Sequence, residues 1–162
     1  GAIAHHIFFL VPTGRGKDIE ETTLKTAQYE ALLERILDKQ TQVPIELKPT
    51  CAPQFMRIAT QRGMKTRFSR GCLAGTTYCV ILPNGDVQPC PYLPIKVGNV
   101  RETDFDVIWK ESALFHELRH EPLKGGCSRC GYDQVCGGCR ARAYYYYDGD
   151  YLAEEPWCAY GR

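Results

Sequence analysis

Hydrophobic and polar positions in the first fifty residues follow a strand–helix–strand order. An apolar run at 6–11 ends in turn residues at 12–16, which predicts a short strand followed by a loop. Apolar side chains then recur at helical spacing behind an N-cap at Thr26, and 43–48 predicts a second strand. The apolar face of the predicted helix consists of Tyr29, Leu32, Leu33, Ile36 and Leu37. This order is typical of one βα unit in a parallel sheet or barrel.

One βα unit cannot bury both faces of its sheet by itself. Parallel sheets are normally covered on both faces, so the unit needs neighbours that this chain does not supply. The chain also begins abruptly inside a predicted strand. We therefore expect it to be a piece of a larger protein.

After residue 50 the pattern changes to short helices and one hairpin. Pro53 suits the first turn of a short helix that runs to Ala59. Segments 78–81 and 87–89 flank an Asn-Gly pair, which is the strongest short hairpin signal. A last helix is predicted at 140–147. Between hairpin and last helix, helical segments are predicted to pack through Phe105, Ile108, Trp109, Leu114, Phe115 and Leu118.

Composition excludes several classes of function. The 162 residues are 44% hydrophobic and 24% charged, which is typical of a folded globular protein and not of a disordered chain. The net charge of +1 provides no strongly basic surface for nucleic acid or an anionic membrane. The longest apolar run, 7–11, is too short to cross a bilayer, and no secretion signal is visible. We expect a cytoplasmic protein with neither nucleic acid nor a membrane as partner.

Nine cysteines dominate the candidate chemistry, and eight of them lie in one layout. The odd count, the tight C-x-x-C pairs and the lack of a secretion signal favour metal ligation over the alternative, disulfide bonds. Eight thiolates suffice for two four-cysteine metal sites. Cys51 is left over, and we interpret it as a small buried hydrophobe. The eight are Cys72, Cys79, Cys90, Cys127, Cys130, Cys136, Cys139 and Cys158.

The run Cys127-x2-Cys130-x5-Cys136-x2-Cys139 favours iron–sulfur over zinc ligation. Zinc ribbons set two C-x2-C knuckles roughly 12 to 20 residues apart, so that two turns hold one ion. The gap of five residues is too short for two independent knuckles. Dense runs of this kind resemble ferredoxin ligation, in which neighbouring cysteines reach different clusters. Cys136 and Cys139 are therefore expected to point to different sites, with structural zinc as the alternative.

The spacing Cys72-x12-Gly85-x4-Cys90, followed by the dense run and Cys158, resembles the SPASM domain. That domain is the C-terminal extension of many radical S-adenosylmethionine (SAM) enzymes and carries auxiliary [4Fe–4S] clusters. The resemblance implies an α+β fold that begins with the C-terminal remnant of a (β/α) barrel. In that interpretation 1–50 is the terminal βα part of a partial radical SAM barrel, and 51–70 connects it to the rest. Residues 71–162 form the auxiliary-cluster domain, with a β-hairpin and short helices.

Finer strings resemble the haem-biosynthesis branch of this family, including the branch that leads to haem d1. They are FLVPTGRG at 9–16, GCLAG at 71–75 and VCGGCRARAY at 135–144, with the closing GDYL and EEP. Members modify sirohaem-derived tetrapyrroles by oxidative decarboxylation or side-chain removal. The resemblance thus implies an oxidoreductase acting on a tetrapyrrole. Peptide-modifying maturases share the cysteine layout and are the alternative, together with a zinc-stabilised binding module without a redox role.

The resemblance also implies two ligand sets. One [4Fe–4S] site takes Cys72, Cys79, Cys90 and Cys139, and the other takes Cys127, Cys130, Cys136 and Cys158. The common SPASM pattern has three residues between the last two cysteines of the dense run, whereas this chain has two. The assignment of Cys139 depends on that difference. Some relatives keep one auxiliary cluster, so the resemblance implies one or two.

The printed sequence lacks the C-x3-C-x2-C triplet on which radical SAM enzymes bind the SAM cluster. By the resemblance, SAM and its own [4Fe–4S] cluster belong to an N-terminal radical SAM domain that this chain does not contain. We expect the chain to be inactive by itself, and we assign it no catalytic residue. The implied partners are that domain, a small-molecule substrate and a low-potential electron donor such as flavodoxin or ferredoxin.

Three further features have a functional and a structural interpretation. Arg15, in a glycine-flanked loop after a strand, is a candidate to bind a carboxylate of substrate or of SAM, with a solvated arginine in a turn as the alternative. Arg140 and Arg142 follow a cluster cysteine and are candidates to tune its potential. The string His116-Glu-Leu-Arg-His120 matches the H-E-x-x-H motif of zinc proteases. No third ligand follows it, so we favour a solvated helix face there.

Overall fold

The computed structural model describes residues 1–22, 24 and 26–160. In this part of the chain, helices mix with two small sheets in an α+β arrangement. The elements are β1 (Ala4–Phe8), a 3₁₀ helix (Gly14–Thr22), α1 (Thr26–Gln40), β2 (Glu46–Thr50), α2 (Gln54–Gln61), β3 (Val80–Ile81), β4 (Asp86–Gln88), β5 (Gly98–Asn99), α3 (Phe105–Glu111), α4 (Ala113–His120), α5 (Gly125–Ser128), α6 (Asp133–Cys136) and α7 (Arg140–Tyr146).

The first sheet confirms the predicted parallel βα unit. Strands β1 and β2 pair in parallel, with Ala4 opposite Glu46. The predicted first strand extends too far, because the chain leaves the sheet after Phe8 and Val11 is buried in the interior instead. The predicted loop was also partly wrong, since a 3₁₀ helix begins at Gly14. Helix α1 begins at Thr26, and residue 25 lies outside the described residues.

The largest core joins the beginning and the end of the chain. The apolar face of α1 is buried as predicted, except that Leu32 is only partly buried. It packs against the buried side of α2. Tyr29 donates a buried hydrogen bond of 2.8 Å to Gln54 Oε1, and its ring lies edge-on to Trp157 at 5.6 Å. The last segment of the chain therefore closes the core of the N-terminal unit.

The hairpin forms at the predicted Asn-Gly pair. Strands β3 and β4 pair antiparallel, and Gly85 adopts a φ of 91°, which favours glycine. A Cβ at Gly85 would also lie 2.6 Å from Asn99 Oδ1. Asn99 belongs to β5, a third strand that the sequence analysis missed because two residues carry no periodic signal. Its side chain donates to Asp86 Oδ1 at 2.8 Å and ties β5 to the hairpin.

Helices α3 and α4 pack as predicted through Ile108, Phe115 and Leu118. Phe105 was assigned to the same face, but it is 42% exposed and stacks on Trp109 at 6.0 Å near the surface. Helix α7 ends at Tyr146, one residue before the prediction. None of the helices that the structure describes has the length and apolar character needed to span a bilayer.

Candidate metal centres

Four cysteines from distant parts of the sequence line one cavity of about 350 Å³. We call it the first cysteine cavity and define it by Cys51, Cys72, Cys90 and Cys139. Most of its wall is apolar or aromatic, with Phe55, Phe68, Tyr78 and Tyr92 among the lining residues. Three of its four thiols were assigned to one site from the sequence. The remaining thiol, Cys51, was interpreted as a leftover hydrophobe.

Backbone contacts bring the segment around Cys72 to this cavity. The amide of Gly71 donates to Val135 O at 2.8 Å, and the amide of Cys72 donates to Cys136 O at 3.0 Å. A Cβ at Gly71 would lie 2.5 Å from Pro53 O, so the absence of a side chain there permits the close approach to the start of α2. The segment before the hairpin is thereby held between α2 and the dense cysteine run.

Cys79 does not line the first cysteine cavity, as far as the described residues define it. It packs instead against the small core formed by Val87, Ile108 and Phe115. Burial raises the pKa of its thiol. Three of the four cysteines that the sequence assigned to this site therefore lie together in the cavity. The fourth, Cys79, packs against a different core.

The other predicted set converges completely. Cys127, Cys130, Cys136 and Cys158 line a tighter cavity of about 30 Å³, which we call the second cysteine cavity. Short turns place the first three: the amide of Cys130 donates to Cys127 O at 3.2 Å, and Cys136 ends α6. Gly137 follows with a φ of 73°, which lets the chain reverse direction towards α7.

The protein surroundings favour protonated thiols unless a cation is bound. Burial raises the pKa of Cys51 to about 11 and those of Cys90 and Cys136 to about 12. Burial also raises the pKa of Cys139, against the lowering effect of the Arg142 guanidinium. Metals bind the thiolate, so the positive charge of the metal must drive proton release.

Four cysteine thiols line each cavity, and four thiolates are the ligand set of a [4Fe–4S] cluster and also of a structural zinc ion. Zinc holds every sulfur at about 2.3 Å, which requires the four thiols to crowd around one point. A [4Fe–4S] cluster binds each thiolate through a different iron, so its ligands stand around a wider space. Backbone amides also donate to sulfur, from Tyr92 to Cys90 Sγ and from Glu155 to Cys127 Sγ, both at 3.4 Å.

A buried ion pair lies between the two cavities. Arg142 and Glu155 are almost completely buried, and Arg142 Nη1 donates to Glu155 Oε1 at 2.9 Å. Burial opposes the charge of Arg142, but the carboxylate of Glu155 acts together with Cys139, Tyr29 and Cys51, and their combined effect raises the pKa of Arg142. Arg142 Nη2 donates to Cys51 O, and Glu155 Oε2 accepts from the Cys139 amide at 2.6 Å. The pair therefore braces the backbone of Cys51 and Cys139 at the first cysteine cavity, and Glu155 also lines the second.

Of the other predicted side chains, Arg140 lies near the second cavity, where its charge opposes the burial that raises the pKa of the Cys127 thiol, and the rest lie at or near the surface. Arg140 is buried and donates to backbone oxygens, including Tyr151 O at 2.9 Å and Ala153 O at 2.7 Å. Arg15 is exposed in the 3₁₀ helix. On α4 the rings of His116 and His120 lie side by side at 4.5 Å, and Glu117 accepts a hydrogen bond from Tyr151. This surface pair does not come with a third metal-binding side chain among the described residues.

Sequence reasoning missed two residues of the site. Glu155 follows another glutamate and precedes a proline, and no spacing distinguishes its buried carboxylate from a solvated one. Cys51 carried a usable signal, because it directly follows β2. The carboxyl ends of parallel strands are where binding residues collect.

Comparisons with known proteins agree with the cysteine geometry. Residues 72–131 match the SPASM family, described as an iron–sulfur cluster-binding domain. Over 99% of its length the chain is 45% identical to the AdoMet-dependent heme synthase of Methanosarcina barkeri and 44% identical to that of Nitratidesulfovibrio vulgaris. Over 84% of its length it is 34% identical to the mycofactocin maturase of Mycobacterium ulcerans, of which it covers 37%.

The chain spans about half the length of the two heme synthases, namely 49% and 47%. It aligns with them almost from end to end, whereas the maturase match is shorter and less identical. The cysteine spacing and the glycine-rich strings predicted this relationship. The chain thus contains a segment that matches the SPASM family, and over almost its whole length it resembles proteins of the alternative haem branch.

Proposed function

We propose that the chain is the auxiliary-cluster part of a radical SAM oxidoreductase and holds two [4Fe–4S] clusters. The observation that carries the proposal is the convergence of eight cysteines on two cavities. One cluster is bound by Cys127, Cys130, Cys136 and Cys158. The other is bound by Cys72, Cys90 and Cys139, with a fourth thiol that the family resemblance assigns to Cys79.

The proposed division of the chain has 1–50 as the end of a radical SAM barrel, 51–70 as the connection and 71–162 as the auxiliary domain. The parallel β1–β2 pair supports the barrel part, because two parallel strands leave both sheet faces to be covered. Ile3, just before β1, is 88% exposed, and Phe8, the last residue of β1, is 64% exposed. The missing neighbours are a radical SAM domain that binds SAM and its own cluster.

A bound [4Fe–4S] cluster accepts or donates one electron at a time. The chain's residues hold the sulfurs, exclude water and set the local charge. Amide donors to Cys90 and Cys127 stabilise negative charge on sulfur, and the charged Arg142 adds to this effect from the buried side. Arg140 contributes by fixing the turn at 151–153 beside the second cavity.

The relatives support a proposal for the substrate class. The end-to-end similarity to two proteins named heme synthases favours a tetrapyrrole, modified by oxidative decarboxylation or side-chain removal. Arg15, exposed after β1, is the proposed partner for a substrate carboxylate. A low-potential flavodoxin or ferredoxin in the cytoplasm is the proposed electron donor. The maturase match supports a peptide substrate as the second candidate.

Anaerobic reconstitution tests the metal assignment. We expect about eight iron and eight sulfide atoms per chain, with the broad visible absorption of cubane clusters. Colourless protein that holds only zinc would contradict the proposal. The substrate class is tested on the protein joined to a radical SAM domain. Turnover of a didecarboxysirohaem-type macrocycle is compared with turnover of a ribosomal peptide. Turnover of the peptide alone would favour the maturase candidate.

A further inference from the structure

We propose that Cys51 is the fourth ligand of the cluster in the first cysteine cavity, in the role that the spacing pattern gives to Cys79. This inference rests on the proposed function, because it requires that a [4Fe–4S] cluster binds there. It concerns a cysteine that lies outside the SPASM match, which begins at residue 72.

The first step is the convergence of thiols. Cys51 lines the same cavity as Cys72, Cys90 and Cys139, and these four come from four separate stretches of the chain. A four-iron cluster takes four thiolates. The first cysteine cavity therefore already has a complete ligand set without Cys79. In this structure the thiol that was interpreted as surplus is the one that completes the set.

The second step concerns the direction of Cys79. Tyr78 forms an isolated bridge with Ala74 and lines the cavity, and Val80 begins β3. Cys79 lies between the bridge and the strand, at a position without assigned secondary structure. Its side chain packs against the core that contains Val87 and Ile108, whereas Tyr78 lines the cavity. To reach the cavity, this backbone would have to turn over and take Tyr78 out of the wall.

The third step concerns what holds Cys51. It directly follows β2 and has a φ of 60°, a left-handed conformation that a non-glycine residue adopts at a cost. The buried Arg142 donates to its carbonyl oxygen, and Arg142 is itself held by Glu155. Glu155 also accepts from the amide of Cys139. One buried ion pair thus fixes the backbone of two thiols of the same cavity relative to each other.

A consequence follows for the assembled protein. Cys51 directly follows the N-terminal βα unit, whereas Cys72 and Cys90 lie in the segment that matches the SPASM family and Cys139 follows that segment. A cluster bound by all four would link the end of β2 directly to that segment. The auxiliary cluster would then fix the position of the barrel part as well as its own domain.

The test is cysteine protection in the reconstituted chain, read by alkylation and mass spectrometry. Thiols that bind iron react slowly, and they react quickly after the iron is removed. We expect iron to slow the alkylation of Cys51 at least tenfold, as it slows that of Cys130, while Cys79 reacts at a similar rate with and without iron. This measurement uses the unaltered chain, so it does not depend on whether a variant folds.

Matched variants give a second readout. We expect Cys51→Ala to lower iron from about eight to about four atoms per chain and to remove one signal from the electron paramagnetic resonance spectrum of the reduced protein. Cys79→Ala should keep both signals, and Cys130→Ala serves as the control that loses the other cluster. Protection of Cys79 instead of Cys51, or full iron in Cys51→Ala, would overturn the inference while leaving the proposed function intact. A wild-type chain that binds no iron would overturn both.

Discussion

The two cysteine cavities differ in how much of the chain is needed to build them. The second takes all its thiols from the last part of the sequence, between Cys127 and Cys158. The first takes them from Cys51 to Cys139 and depends on a parallel strand, a hairpin and a buried ion pair. A site made from short loops costs less entropy to close, and it is also easier to recognise from spacing. The first cavity depends on tertiary structure.

Glu155 is the residue on which both cavities depend, so its loss should have the largest effect. Glu155→Ala leaves Arg142 buried without its counterion and removes the acceptor of the Cys139 amide. We expect the free energy of unfolding to fall by about 3–5 kcal/mol. Urea unfolding of the anaerobically prepared chain measures it. Glu111→Ala, at an exposed position on α3, is the control and should change stability by less than about 0.5 kcal/mol.

If Glu155→Ala and Glu111→Ala had equal free energies of unfolding, the buried ion pair would not be what holds the two cavities together. Glu155→Gln sharpens the test, since it keeps an oxygen acceptor but removes the charge. We expect it to unfold at a lower urea concentration than the wild type and at a higher one than Glu155→Ala.

Gly71→Ala should damage the first cavity alone. The added Cβ would lie 2.5 Å from Pro53 O, which is backbone and cannot move easily. We expect a loss of about 1–3 kcal/mol, typical of overpacking. Gly131→Ala is the matched control, because no described atom outside its own chain neighbours lies within 4 Å of the Cβ it would gain. If both variants melt together, the approach of this segment to α2 does not depend on glycine.

Glu154 acts locally at the second cavity and should have a smaller effect. Its Oε2 accepts a hydrogen bond of 2.5 Å from the Gly126 amide, at the start of α5 beside Cys127. Glu154→Ala should cost about 1 kcal/mol, the usual net value of one hydrogen bond. We expect it to weaken iron binding in the second cavity and to leave the first unchanged. Loss of iron from both cavities would show that they are more strongly coupled than their contacts indicate.

The buried thiols should make the free energy of unfolding depend on pH in the alkaline range, although they cause no such dependence at neutral pH. Unfolded thiols ionise near the ordinary value of 9, whereas burial raises the pKa of Cys90 to about 12. Burial raises the pKa of Cys51 to about 11. Because the folded pKa values are higher, the unfolded chain releases protons first as pH rises. In the metal-free chain, these thiols should make a constant contribution to the free energy of unfolding below pH 9. That contribution should be lost as the pH rises from about 9 to about 12. Constant stability across that window would contradict the buried positions of these thiols.

The sequence predicted the local parts of this molecule better than the tertiary ones. The face of α1, the turn at Gly85 and the grouping around Cys127 all follow from periodicity or short spacing. The placement of Cys51 and the burial of Glu155 do not. Both result from contacts between residues far apart in the chain. In another tertiary structure the same cysteine would bind no metal, and the same glutamate would be exposed to solvent.

If Cys51 is the fourth ligand as proposed, Cys79 illustrates the same limit from the opposite side. Spacing alone makes it a ligand, since it lies between Cys72 and Cys90 in a recognised pattern. The side of the chain on which a thiol projects depends on strand direction and on the neighbour Tyr78. That information is absent from a spacing rule.

The central claim is that two separate clusters occupy two cavities, and iron content in three variants tests it most directly. Cys90→Ala should remove the first cluster and Cys130→Ala the second, so each anaerobically reconstituted variant should hold about four iron atoms per chain in place of about eight. The double variant should hold none. Loss of all iron in either single variant, or full iron in the double variant, would contradict the account.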